Sequence, residues 1–368
     1  MEEVKRVLCL VSAMNTGGAE TFLMKIYRNL DRTKYQMDFC VNVKEKGFYD
    51  DEIKRLGGRI FVIPSKSENI KKFKSELAEI IRSHQYANVF RITSNAMGFL
   101  DLKIAKDSGA KRCIARSSNS SDGAGIKVLL VHKLGQLLYE RYVDVKIAPS
   151  DLAAEYTFGK KALKHKEVTI LHNAVDLEQY SYGESNRTKF RDELGISEKT
   201  MLIGHVGRFS MQKNHEFLID IYQKICQYVP DSRLILVGNG ELQEEVRKKV
   251  NGLNLSEKVI FLGVRADISS ILSGMDVFAF PSFYEGMPNT VIEAQATGLP
   301  CVIADTITKE ANITGLVKYI SLQESVNEWA KAVIDSVSPH RKDTKEMFIQ
   351  NGYDINTVTK QFETLIFE

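Results

Sequence analysis

Two glutamates separated by seven residues stand out in the segment FPSFYEGMPNTVIEAQATGLPCV, residues 280–302. Glu285 comes shortly before Pro288, a residue suited to the first turn of a helix, and Gly298 suits the end of that helix. Glu293 would then lie one to two turns inside a helix that is otherwise apolar. A helix N-terminus binds anions, and a carboxylate in apolar surroundings needs hydrogen-bond partners. The segment therefore fits a diphosphate at the helix start and ribose hydroxyls at Glu293.

Two cations, Arg208 and Lys213, follow a predicted strand at residues 202–207. Preorganised cations stabilise the negative charge that develops on a departing diphosphate. A divalent metal held by Asp-x-Asp would do the same, but the sequence contains no Asp-x-Asp. We therefore expect chemistry without a metal; the alternative is that both side chains are solvated loop cations.

The elements that must position these residues alternate between short apolar strands and helices. This alternation favours parallel sheets with helices on both faces. A polar, turn-rich break at residues 173–187 divides the pattern, and 368 residues exceed what one hydrophobic core usually serves. We expect two Rossmann-like, doubly wound domains that face a cleft, with ligands at the carboxyl ends of the strands. Strands are predicted at residues 4–12, 37–42, 59–63, 89–92, 112–115, 145–149, 168–171, 202–207, 234–237, 259–262, 277–281 and 301–304.

In order along the chain, these motifs resemble glycosyltransferase family 4, whose members have the GT-B fold. The stretch E-G-M-P-N-T-V-I-E-A looks like the donor signature of that family. The resemblance covers nearly the whole chain and is greatest with transferases of bacterial capsule and exopolysaccharide assembly. Further matching stretches are residues 17–20 (GGAE), 173–176 (NAVD), 207–209 (GRF) with Lys213, 237–241 and 261–263.

The resemblance implies a role for each matching residue. Arg208, Lys213 and Glu285 are expected to be catalytic, with Glu285 touching hydroxyls of the donor sugar. Glu293 is expected to hold the ribose. For the glycine pair at the first loop, a plain tight turn is the alternative. The remaining donor-binding residues implied are Gly17, Gly18, Gly238, Val264, Gly286, Met287, Asn289 and Thr290.

One stretch departs from the family pattern. Relatives typically carry His-Ser-His-Asn after the strand that ends near residue 115, whereas this chain reads Arg116-Ser117-Ser118-Asn119. The replacement suits a sugar phosphate, since a guanidinium, hydroxyls and an amide are all offered. We expect Arg116, Ser118 and Asn119 to bind the acceptor, with Arg116 as an exposed ligand of its phosphate.

Charge is unevenly distributed along the chain. Residues 1–175 hold 30 Lys/Arg and 20 Asp/Glu, whereas residues 176–368 hold 20 and 27. The first half is expected to face an anionic lipid phosphate or membrane surface, with ordinary surface variation as the alternative. Residues 126–142 fit a helix that either faces the core or contacts lipid. No signal peptide or membrane span is recognised, so we expect a cytoplasmic protein with peripheral contact at the inner membrane face.

The sequence thus predicts a retaining hexosyltransferase that moves a sugar from a nucleotide-sugar donor, such as a UDP- or GDP-hexose, to its acceptor. The acceptor is a glycan or a polyprenyl-diphosphate-linked sugar, and the expected setting is capsular or exopolysaccharide biosynthesis. No cofactor, metal or nucleic acid is expected. The alternatives are a catalytically weak homologue that serves as a nucleotide-sugar-binding partner subunit, and a GT-B-fold nucleotide-sugar epimerase.

The expected domains are an acceptor-side domain at residues 1–174 and a nucleotide-sugar-binding domain at residues 175–350. By resemblance, a last helix at residues 351–368 packs back on the first domain. The five cysteines are widely spaced and odd in number, so we expect reduced thiols.

Overall fold

A computed structural model describes residues 4–15, 17–118 and 126–368 of the chain. Contacts divide it into two compact units, Met1–Ala174 with Gly352–Glu368 and Val175–Asn351, here called the N-terminal and C-terminal units. Each unit is built on a parallel sheet with helices between successive strands. The prediction of two parallel α/β sheets is confirmed. Asn119, an expected acceptor ligand, lies outside the described residues.

In the described part of the N-terminal unit, seven strands form one sheet in the order β3-β2-β1-β4-β5-β6-β7, and all neighbours are parallel. The central strands are buried on both faces, which explains their unbroken apolar runs. The strands are β1 Lys5–Leu10, β2 Tyr35–Val41, β3 Ile60–Val62, β4 Asn88–Thr93, β5 Arg112–Ser117, β6 Val145–Ala148 and β7 Val168–Ile170. The helices are α1 Gly18–Asn29, α2 Asp50–Arg55, α3 Lys66–Ser83, α4 Phe99–Asp107, α5 Ile126–Tyr139 and α6 Asp151–Lys164.

Strand β1 lies where the strand order reverses, because it pairs with β2 on one side and β4 on the other. Connections on the two sides run in opposite directions, so a crevice opens beyond the carboxyl ends of β1 and β4. Short 3₁₀ structure at Ala96–Gly98 follows β4 and leads directly into α4.

The part of the C-terminal unit that the structure describes holds six parallel strands in the order β10-β9-β8-β11-β12-β13. Here β8 occupies the reversal point, between β9 and β11. The strands are β8 Met201–Val206, β9 Ser232–Val237, β10 Val259–Gly263, β11 Val277–Phe280, β12 Cys301–Ala304 and β13 Val317–Ile320. The helices are α7 Glu184–Glu193, α8 His215–Tyr228, α9 Gln243–Gly252, α10 Ile268–Gly274, α11 Asn289–Ala296, α12 Val326–Ser336 and α13 Lys345–Gln350.

The last helix, α14 Ile355–Phe367, belongs to the N-terminal unit. Asp354 caps it, since its carboxylate accepts a hydrogen bond from the Thr357 amide at 3.1 Å. Its apolar stripe enters the core cluster of β1 and α1. The ring of Phe362 meets Phe90 edge-on with 5.5 Å between ring centroids. The helix is therefore part of the first unit's core rather than an appendage.

Helix α5 turns its leucines away from the protein. Leu130, Leu134 and Leu137 are all exposed, Leu137 to 82%. The inner side carries His132, whose Nδ1 accepts from the Ala96 amide at 3.2 Å, and Gly135, where a Cβ would lie 2.6 Å from the Ala96 carbonyl carbon. Of the two alternatives for this helix, the one in which it buries its apolar residues in the core is therefore wrong.

The five cysteines are free thiols, four of them buried, in agreement with the prediction. Among the described helices, none combines the length and hydropathy needed to cross a membrane.

We expect Phe362→Ala to lower the free energy of unfolding by about 3–5 kcal/mol, because it removes a fully buried ring from the core. The matched control is Lys360→Ala on the solvent face of the same helix, with an expected change within about 0.5 kcal/mol. Urea unfolding of both variants measures the difference. Equal stability of the two variants would contradict a core role for α14.

Candidate active site

Lys213 and Glu285, predicted to be catalytic, meet in the C-terminal unit. Lys213 ends the 3₁₀ segment Met211–Lys213 after β8, and Glu285 lies on the loop between β11 and α11. The Lys213 Nζ stands 2.6 Å from the Glu285 Oε1, with side-chain exposures of 17% and 10%. Lys213 also lies over the Phe280 ring, 4.7 Å from its centroid. The site thus contains a mostly buried ion pair assembled from two neighbouring strands.

Two polar neighbours hold this pair in place. The Gln212 side-chain amide donates to the Tyr284 carbonyl at 2.9 Å, and the Gln212 carbonyl accepts from the Phe283 amide at 2.9 Å. Asn214 adopts the left-handed conformation at φ 54°, and its side chain donates to the Pro281 carbonyl at 3.1 Å. Sequence reasoning missed both residues. The polar run Gln212-Lys213-Asn214 directly after a strand was the available signal.

Gly238 allows the turn after β9 to approach the backbone of Gly207 closely. Its φ is +128°, and a Cβ there would stand 2.2 Å from the Gly207 carbonyl oxygen. Gly207 in turn lies under Lys213, since its own Cβ would be 3.3 Å from the lysine Cδ and Cε. The turn after β9 therefore packs on the loop that carries the predicted cations. The expected contact of Gly238 with the donor stays a prediction.

Arg208 pairs with a different carboxylate from the one that Lys213 contacts. Among the described residues its ion pair is with Glu241, at 3.0 Å between Nη2 and Oε2, and its side chain is 72% exposed. An exposed pair of this kind contributes little to stability and is easily exchanged for another anion. Val264, beyond the end of β10, is also exposed.

Helix α11 places the remaining donor-signature residues. Pro288 stands at the N-cap position, with Asn289 and Thr290 in the first turn. Glu293 is the fifth residue of the helix and is buried. The predicted helix is confirmed. The ligands of Glu293 and of the half-buried residues Gly286 and Met287 remain expectations.

A buried glutamine that sequence reasoning missed fixes the position of α11. The Gln295 side-chain nitrogen donates to the Ala311 carbonyl at 2.7 Å. Its oxygen accepts from the Ile313 amide at 3.0 Å and the Thr314 hydroxyl at 3.0 Å. A fully satisfied polar group of this kind anchors a helix because leaving its partners unpaired is costly.

In the N-terminal unit, Arg116 is 2% exposed, so the expectation of an exposed phosphate ligand is wrong. Its guanidinium lies 3.8 Å from the centroid of the Phe22 ring, and Nη2 donates to the Asn173 side chain at 2.8 Å and the Leu171 carbonyl at 3.3 Å. Because β5 is an inner strand, this side chain enters the packed layer and not solvent. Of the expected acceptor ligands that are described, only Ser118 is exposed.

The first-loop glycines lie at the start of α1. Gly17 is the N-cap residue, with an extended backbone at φ −81° and ψ 165°, and Gly18 begins the helix. A Cβ on Gly17 would collide with the Glu20 carboxylate at 2.2 Å. The glycine thus makes room for that side chain; its contact with a donor stays a prediction.

Residues 200–338 match the family described as glycosyl transferases group 1. The chain is 34% identical over 360 residues to the glycosyltransferase EpsF of Bacillus subtilis, covering 95% of this chain and 93% of that protein. The chain belongs to this glycosyltransferase family. It is also 25% identical, over 87% of its length and 86% of the relative, to the UDP-Gal:alpha-D-GlcNAc-diphosphoundecaprenol alpha-1,3-galactosyltransferase of Escherichia coli.

The fold of this glycosyltransferase matches a solved structure. Anabaena HepE, in complex with UDP and glucose, superposes with a TM-score of 0.78 at 21% identity, covering 98% of both chains. The predicted GT-B fold is therefore confirmed. Within residues 4–15, 17–118 and 126–368, no group of three His, Cys, Asp or Glu side chains is arranged to hold a metal ion.

The glycosyltransferase buries two histidines behind Lys213. The rings of His205 on β8 and His215 on α8 stand 4.6 Å apart, and the second stacks on Phe209 at 4.2 Å. The described residues offer no hydrogen-bond partner to Nε2 of His205 or to either ring nitrogen of His215. Burial, and then the charge of Lys213, lowers the pKa of His215 to about 4. Burial likewise holds the pKa of His205 well below its usual range.

Acid should therefore destabilise the glycosyltransferase through His215. Its folded pKa of about 4 lies below the unfolded value near 6.5, so falling pH protonates the unfolded chain first. We expect His215→Leu to remove on the order of 2 kcal/mol of the stability lost between pH 6.5 and 4. Urea unfolding at pH 7.5, 5.5 and 4.5 measures this loss. The control is His165→Leu at an exposed position; an unchanged pH slope in His215→Leu would disprove the assignment.

Proposed function

We propose that this glycosyltransferase transfers a hexose from a nucleotide sugar with retention of configuration and without a metal. The Lys213–Glu285 ion pair carries this proposal, because it sets a cation and a carboxylate together at the end of β11, just before α11. A cation there suits the departing diphosphate, and the carboxylate suits hydroxyls of the sugar.

The neighbouring groups complete a donor site of the same chemistry. The N-terminus of α11 suits the diphosphate oxygens, and Glu293 suits ribose hydroxyls. Arg208 can leave the exposed Glu241 for the diphosphate, because the existing pair is weakly held. A UDP- or GDP-hexose is the proposed donor. The E. coli relative uses UDP-Gal, and HepE was solved with UDP and glucose.

Retention is proposed to follow from attack on the face that the diphosphate leaves. The bond between C1 and the diphosphate oxygen breaks, and the acceptor oxygen bonds to C1 on that same face. The departing phosphate oxygen takes the acceptor proton, so the protein needs no nucleophile or strong base. Lys213 and Arg208 neutralise the charge that remains on the diphosphate.

The proposed acceptor is a glycan or a sugar linked to polyprenyl diphosphate, in the synthesis of a capsule or exopolysaccharide. The E. coli relative acts on GlcNAc-diphosphoundecaprenol. The outward leucines of α5 support a peripheral contact with the inner face of the membrane. A surface helix normally buries its apolar side, whereas this helix is held by His132 and by Gln136, which donates to the Thr157 carbonyl at 2.9 Å.

A test of the proposed transfer starts with nucleotide hexoses and a short-chain diphosphate-linked GlcNAc acceptor. In excess EDTA we expect full activity and, by NMR of the product, the anomeric configuration of the donor. Lys213→Ala should lower kcat by about 10²–10³, because it removes one electrostatic stabiliser of the diphosphate. The control Lys248→Ala alters an exposed cation of α9 and should leave kcat unchanged.

Three outcomes contradict the proposal. Activity that disappears in EDTA and returns with Mg²⁺ would transfer the diphosphate role to a metal. An inverted product would exclude retention. Conversion of the donor to another nucleotide sugar without acceptor would identify an epimerase instead.

Membrane contact is tested by co-sedimentation with vesicles of phosphatidylcholine containing phosphatidylglycerol. The double variant Leu130→Gln/Leu137→Gln should bind vesicles about tenfold more weakly, because two exposed apolar side chains no longer enter the lipid. The control is Ile349→Gln, an exposed apolar residue of the C-terminal unit. Equal vesicle binding by all three proteins would disprove a role for α5.

A further inference from the structure

A pocket of about 420 Å³ opens in the N-terminal unit beyond the carboxyl ends of β1, β4 and β5. This is the crevice at the reversal point of the sheet, where parallel α/β sheets bind ligands. The side chains that could bind a ligand there are Ser12, Glu20, Lys66, Arg91, Asn95 and Ser118.

Two cations of this pocket share one buried carboxylate. Asp101 on α4 is 2% exposed; Lys66 Nζ lies 2.6 Å and Arg91 Nε 3.1 Å from its oxygens. Arg91 also donates through Nη1 to the Leu10 carbonyl at 3.0 Å. Lys66 and Arg91 remain 31% and 14% exposed. One carboxylate thus holds two cations in fixed positions, and these three side chains together carry one net positive charge.

The other groups of the lining suit a sugar more than an anion. Glu20 is half-buried, and burial raises the pKa of its carboxyl. A carboxyl accepts hydrogen bonds from sugar hydroxyls, and Ser12 and Ser118 offer further hydroxyls. The pocket therefore combines a cationic wall with a hydroxyl-binding wall.

The pocket also borders the inner side of helix α5. Its lining includes Met97 and Gly98 of the 3₁₀ segment, and α5 packs on that segment through His132 and Gly135. The exposed leucines lie on the other side of the same helix. A ligand with an apolar chain, a phosphate group and a sugar would match all three features.

We propose that Lys66 and Arg91 bind the diphosphate of a lipid-linked acceptor in this pocket. The proposal rests on the proposed function. It assigns to these two residues the phosphate contact that the sequence had assigned to the buried Arg116.

Calorimetry with farnesyl diphosphate as the probe tests this site in the full chain, with saturating UDP present to occupy the donor site. Lys66→Gln keeps a hydrogen-bond donor for Asp101 but removes the charge, and we expect binding about tenfold weaker. The control Lys46→Gln breaks an exposed pair with Asp51 at 2.6 Å and should bind normally. Ser94→Trp adds a large side chain at the exposed rim of the pocket, leaves both cations in the chain, and should also weaken binding.

Two further probes distinguish a lipid-linked diphosphate from a free one. Farnesol lacks the diphosphate and should not respond to Lys66→Gln, while inorganic pyrophosphate lacks the chain and should bind more weakly than farnesyl diphosphate. Equal binding of pyrophosphate and farnesyl diphosphate would overturn the lipid-linked ligand. Farnesyl diphosphate binding that is absent, or unaffected by both Lys66→Gln and Ser94→Trp, would overturn the site.

UDP titrated alone separates this proposal from the proposed function. If UDP binds and Lys66→Gln does not change the affinity for farnesyl diphosphate, only the assignment of the acceptor diphosphate to this pocket is contradicted. Absence of binding by UDP, GDP and their hexoses would instead contradict the transferase proposal, whatever the farnesyl diphosphate result.

Discussion

The ion pair of Lys213 and Glu285 is the interaction on which the C-terminal site depends. Two charges 2.6 Å apart and mostly shielded from water are tolerated only together, since loss of one leaves the other buried and unpaired. The two loops that carry them must therefore be held in register. Direct pairing of β8 with β11 places their carboxyl ends side by side, and Gln212 and Asn214 tie the loops together by hydrogen bonds.

The N-terminal unit also contains a buried carboxylate that requires cationic partners, but here two cations share it. Asp101 is almost fully buried, and two cations reach it from β4 and the start of α3. Both cations line a pocket, whereas the charge of Arg116 is enclosed between an aromatic ring and the Asn173 amide. Arg116 on β5 therefore packs inside the unit, whereas Arg91 on β4 lines the pocket. Arg91 pairs in register with Ala115, and successive residues of a strand point to opposite faces of the sheet.

Prediction from sequence succeeded where a local pattern is strong. The apolar strands and the start of α11 at Pro288 were found because buried parallel strands and helix termini have clear signatures. The strand Val317–Ile320 was missed because it lies at the edge of the sheet with one buried residue, so it has no continuous apolar run. The helix Phe99–Asp107 was missed because its N-cap is Gly98 and both its faces are partly apolar. Gln295 was missed because its partners lie sixteen or more residues away.

The sequence by itself determined the fold class, the family resemblance and the order of the motifs expected to hold a nucleotide sugar, because these reside in local patterns and spacing. It also identified Lys213 and Glu285 as one site. Only the tertiary structure decided which side chains are enclosed and which meet. Arg116 became a buried residue and α5 turned its leucines to the surface, because the direction of a side chain depends on packing between distant segments. Lys66, Arg91 and Asp101 come together for the same reason, since three separate elements bring them to one crevice.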